Sequence, residues 1–113
     1  MARTPADQTL VAGDLLADLP VTPQATTSRV VVDNDAVRVV LFTFDTGEEL
    51  TDHTASMPVV VTLLDGAIRF RVGEQDHHLA PGDVVYLPAH ESHALQAEEP
   101  SRLSLVMVRS PGR

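Results

Sequence analysis

The sequence predicts an all-β domain, a closed barrel or sandwich of short strands. Three features carry that reading. From residue 29 onward, short apolar runs recur and each stops at a cluster of Gly, Pro, Asp or Asn. Several runs alternate apolar and polar residues with period two, as a strand buried on one face does. No stretch after residue 28 keeps helical spacing, and many short strands with regular turns form sandwiches or barrels.

Taken in order, Arg29 to Val32 is a first run, closed by Asp33-Asn34-Asp35. Val37 to Phe44 is a second, closed by Asp45-Thr46-Gly47. Val59 to Leu64 ends at Asp65-Gly66, a hairpin signal. Ile68 to Val72 puts Ile68, Phe70 and Val72 on one face and Arg69 and Arg71 on the other. Arg38 is expected to face solvent like these arginines, with Val37, Val39 and Leu41 opposite it. His77-His78-Leu79 leads into Pro81-Gly82-Asp83, Val84 to Leu87 stops at Pro88, and Leu103 to Val108 is the last strand. Residues 1–28 read as a partly ordered arm and 29–113 as the barrel. Within the arm, Asp14 is expected to cap a short turn of helix that Pro20 ends.

Composition narrows the function. A chain of 113 residues makes one domain. It has no cysteine, so disulfides, thiolate metal sites and cysteine catalysis are excluded. The net charge of -8 disfavours nucleic acid and anionic membranes as partners. No apolar run reaches the ~18 residues of a membrane helix. The first residues lack the apolar core of a secretion signal, which predicts a cytoplasmic protein.

Two segments resemble the motifs of a known family. Gly47 to Gly66 is similar to the first cupin motif, G-x5-H-x-H-x3-4-E-x6-G, at Gly47, His53 and Gly66. Pro81 to Leu95 is similar to the second at Pro81, Gly82, Asp83, Pro88 and His93. The resemblance spans about residues 37–108 and implies a cupin double-stranded β-helix, a jelly-roll barrel, in a small single-domain cupin. It also implies a homodimer, with Arg29 to Val32 and the Leu15–Leu19 knot as the segments expected to pair.

In metal-binding cupins two histidines and a glutamate of the first motif join one histidine of the second on one ion. Here Ala55 and Val59 stand at two of those positions, leaving His53 and His93. The expected ligand pocket lies inside the barrel and is lined by His53, Val59, Val61, Phe70, Tyr86 and His93. Apolar walls with a few polar groups suit a small molecule. The first reading is therefore a binding module for a small, largely apolar ligand or an anion. The second is a metal-dependent enzyme of oxygenase or isomerase type. It uses a divalent Zn, Ni, Fe or Mn ion on His53 and His93, with His90 as a candidate third ligand. The third is a metal-free enzyme with His93 as general base.

Overall fold

The computed structural model describes residues 4–109. Residues 1–3 and 110–113, at the outer ends of the expected arm and barrel, lie outside the described residues. After a short helix α1 (Leu15–Asp18) come β1 (Thr26–Asp33), β2 (Val37–Phe44), β3 (Glu49–His53), β4 (Val59–Asp65) and β5 (Ile68–Val72). They are followed by β6 (Gln75–Leu79), β7 (Val84–Leu87), β8 (His93–Ala97) and β9 (Ser101–Val108). A five-stranded sheet runs β1-β2-β9-β4-β7 and a four-stranded sheet runs β3-β8-β5-β6. All pairs are antiparallel, in the order of a jelly roll.

The expected alternation decides what faces inward. On β4, Val59, Val61 and Leu63 are buried while Val60, Thr62 and Leu64 turn out. On β5, Ile68 and Phe70 are buried between exposed Arg69 and Arg71. With Phe44, Leu79, Leu87, Leu95, Ala97 and Leu103 they form one core between the sheets. The arm's helix has no side-chain cap: Asp14 adopts the left-handed region, and its backbone carbonyl accepts from the N–H of Asp18 instead. No helix among the described residues is long and apolar enough to cross a membrane.

Arg38 departs from expectation. Register pairs it with Met107, and Met107 with buried Val59, so Arg38 stands on the inner face of β2. Both faces of Val37 to Phe44 are apolar, so alternation alone cannot choose between them. Phe42 and Phe44, stacked with ring centroids 6.0 Å apart, take the interior, and Arg38 and Val40 follow them by period two. Val37, Val39 and Leu41 therefore point outward. Leu41 is nevertheless buried, as is its outward neighbour Thr43. The chain before β1 is tied at that corner, where Arg102 Nε donates to the Leu19 carbonyl at 3.1 Å.

One end of the barrel is sealed. Ser101 is fully buried; its hydroxyl accepts the Ala67 N–H at 3.0 Å and donates to the Glu99 carbonyl at 2.7 Å. Gly66 makes this closure possible. Its φ is +94°, and a Cβ there would collide with Ser101 Oγ and the Pro100 carbonyl. Gly66→Ala is therefore expected to cost about 3 kcal/mol in urea unfolding, strain and overpacking combined. Gly47→Ala, at φ +85° but facing open space, should cost about 1 kcal/mol. Equal losses at the two positions would refute the steric account.

Candidate functional site

The other end is the mouth, built from strand ends. β3 ends at His53 and passes to β4 through residues 54–58; β7 ends at Leu87 and passes to β8 through residues 88–92. The two connections are tied to each other. His90, at φ +69°, donates its backbone N–H to the Ala55 carbonyl at 2.7 Å. On the four-stranded sheet, His53, His93 and Val72 stand side by side, since His93 pairs with both others.

His53 reaches this row through an irregularity. Leu50 pairs with Leu95 and His53 with His93, so β3 spends three residues where β8 spends two. The extra residue is a bulge. Without it, period two would send the His53 side chain to the face opposite Leu50. With it, the two imidazoles meet edge to face, ring centroids 5.5 Å apart.

The two histidines differ in setting. His53 is exposed. His93 is only 5% exposed and lies parallel to the Phe70 ring, centroids 5.7 Å apart at 6°. Its Nδ1 is 3.1 Å from the Glu91 carbonyl. A carbonyl only accepts, so in the neutral ring this bond fixes the proton on Nδ1 and leaves Nε2 with a free lone pair.

Below His93 the barrel is nearly full. A chamber bounded by Phe42, Leu50, Val61, Phe70, Leu95 and Leu105, among others, has a volume of only about 10 Å³. That is barely the room one water requires. The pocket expected inside the barrel is thus filled by side chains. Val61, Phe70 and His93 do line this chamber. Val59 is buried in the core. Tyr86 is a correction: it pairs with outward-facing Val60 and is 62% exposed, so its hydroxyl cannot enter the barrel. His90 is exposed on its loop.

The donor set does not fit a catalytic metal centre. Perpendicular imidazoles 5.5 Å apart can share one ion, yet no group of three or more His, Asp or Glu among the described residues is placed to hold one. Catalytic zinc sites keep three protein ligands. At the two positions where the family's other ligands would stand are half-buried Ala55 and buried Val59, neither of which can coordinate.

Comparison with known proteins agrees with this architecture. The family model described as "Cupin domain" matches residues 40–109, more than half of the chain. The chain belongs to the cupin-domain family. Among solved structures, a cupin superfamily protein from Desulfitobacterium hafniense is similar with a TM-score of 0.81 at 21% identity, over 96% of this chain and 97% of that one. A conserved protein of unknown function from Streptococcus pyogenes gives 0.83 at 24% identity, over 99% and 98%. A cupin 2 conserved barrel domain protein from Leptotrichia buccalis gives 0.79 at 27% identity, over 84% of this cupin and 46% of that chain. No curated protein matches.

The two histidines should separate in stability measurements. His53→Ala, at an exposed position, is expected to shift unfolding by less than about 0.5 kcal/mol. His93→Ala removes a buried, stacked and hydrogen-bonded ring and should cost about 2–4 kcal/mol. Similar small losses for both would show that His93 is not packed as described.

Proposed function

We propose that this cupin is a small-molecule-binding module whose ligand sits across the barrel mouth against His53 and His93. One observation carries the reading. A buried imidazole has one nitrogen committed to a backbone carbonyl and the other free, beside a second imidazole, above a core too full to admit anything large. Such a group orients a ligand by hydrogen bonding while the apolar rim contacts its body. The alternative, a metal-dependent cupin enzyme, requires a third ligand that the described residues do not supply beside this pair.

Elemental analysis of untagged protein, purified without chelators, separates the two. The expected result is no stoichiometric metal in the wild type, even after incubation with excess zinc, nickel, iron or manganese. Near-stoichiometric metal that disappears in a His53→Ala/His93→Ala variant would replace this reading with the enzyme one.

A homodimer is also proposed, through the outer face of the five-stranded sheet. Val32, Val39, Val106, Val60 and Tyr86 are consecutive cross-strand partners, an uncharged apolar row across all five strands. Val84, 61% exposed, and Val108 extend it. The Leu41 and Thr43 corner of this face is already covered where the chain before β1 is tied, so the part left for a partner centres on the row from Val32 to Tyr86. A second copy suits it best. The face asks for no opposite charge, and isologous packing of two flat sheets matches apolar row to apolar row. In sedimentation at micromolar concentration the wild type should run as a dimer. Tyr86→Glu with Val84→Lys should run as a folded monomer, and Arg69→Glu, on the other sheet, should remain dimeric. A monomeric wild type, or a dimer that survives the double substitution, contradicts this interface.

A further inference from the structure

The mouth has a second side. On the five-stranded sheet, register places Arg38, Met107, Val59 and Leu87 in one inward row across β2, β9, β4 and β7. This row is at the same end of the barrel as His53, His93 and Val72. Val59 follows His53 through one five-residue connection, and Leu87 precedes His93 through the other. Adjacent strands are about 4.8 Å apart and facing sheets about 10 Å apart, so Arg38 and the histidine pair border one small opening.

Arg38 is half-buried, and its Nε is buried with no hydrogen-bond partner. That is a costly state for a guanidinium, because a buried donor without an acceptor carries its full desolvation penalty. Asp33 in β1 lies opposite Arg38 in register and already accepts from Arg109 Nη1 at 2.6 Å. From β2 inward the two rows contain Arg38, two imidazoles and four apolar side chains; the row's one carboxylate, Asp33, stands at its outer end on the edge strand β1 and is engaged by Arg109. A chain that is strongly acidic overall has placed a guanidinium with an unpartnered buried Nε–H at the mouth of its barrel.

We infer that Arg38 is the anion-recognising residue of the mouth and that the ligand is a small monocarboxylate with an apolar body. This rests on the mouth-binding reading above and adds the class of ligand. A guanidinium edge presents parallel N–H donors that match the two oxygens of a carboxylate. The lone pair of His93 Nε2 would repel a carboxylate oxygen, so the carboxylate faces Arg38 and the carbon body lies against the His93 ring. The net charge of -8 opposes a dianion such as phosphate more strongly than a monoanion. Met107, Val72 and Leu50 offer half-buried apolar surface for the carbon body.

The experiment is an NMR titration of the full chain, following the histidine ring signals and the Arg38 Nε–H signal. The probes are acetate, butyrate and benzoate, each beside its neutral amide, with inorganic phosphate as a further arm. The expected result is that at least one carboxylate shifts both the Arg38 and the His93 signals, saturably. Its amide should bind at least ten-fold more weakly. Arg38→Met should reduce carboxylate affinity to that of the amide while leaving the melting temperature unchanged or raised, since it removes an unpartnered buried donor.

If an amide binds as well as its acid, or Arg38→Met binds carboxylate like the wild type, the anion assignment falls and the mouth-binding reading stands. Phosphate binding more tightly than every carboxylate overturns the ligand class. A clear loss of melting temperature in Arg38→Met means that the guanidinium is partnered within the fold, and also overturns the assignment. If no probe, charged or neutral, moves the histidine signals, both readings fall together.

Discussion

Everything at the mouth depends on the pairing of β8. This strand has β3 on one side and β5 on the other, so a single register sets where three strand ends stand relative to one another. His93 opens β8, which fixes it between His53 and Val72. Phe70, one pair further in, supplies the ring on which His93 rests. A slip of one residue would turn His93 to solvent and send Ala94 inward, because side chains alternate with period two. The buried face of Leu95 and Ala97 resists that slip, since both would leave the core with it. The hydrophobic pattern of β8 thus holds a polar side chain in a buried place it would not choose alone.

The two sheets contribute unequally. The four-stranded sheet brings imidazoles to the opening, and the five-stranded sheet brings a guanidinium and apolar groups. Between them the core is so full that little space remains beneath His93. A barrel of this size is readily filled by its own side chains. At the rim, backbone ties rather than large side chains give order. The bond from His90 to Ala55 is one such tie.

Much of the barrel was legible in the sequence because its strands are apolar on at least one face. Val59 to Leu64 and Ile68 to Val72 both appear close to where periodicity puts them. The two strands that carry the histidines were not legible as strands. Glu-Leu-Thr-Asp-His and His-Ala-Leu-Gln-Ala contain little β-branched or aromatic residue, so nothing local marks them. Their conformation comes from tertiary pairing, and the histidines were visible only through motif spacing. Arg38 was misplaced for a different reason: its strand is apolar on both faces, and period two cannot say which is inside. The exposure of Tyr86 was available from the same alternation that buries Leu87, since adjacent residues of a strand cannot both point inward. The bulge in β3 leaves no sequence signal that would have revealed it.

The seal at Ser101 has a consequence for traffic. Gly66, Ala67 and Ser101 close the far end and the core above them is packed, so a ligand held at the mouth, as proposed, would have no route through the barrel. Such a ligand would arrive and depart past the same two connections, 54–58 and 88–92. Those connections are joined by one backbone hydrogen bond, and loosening either disturbs the other.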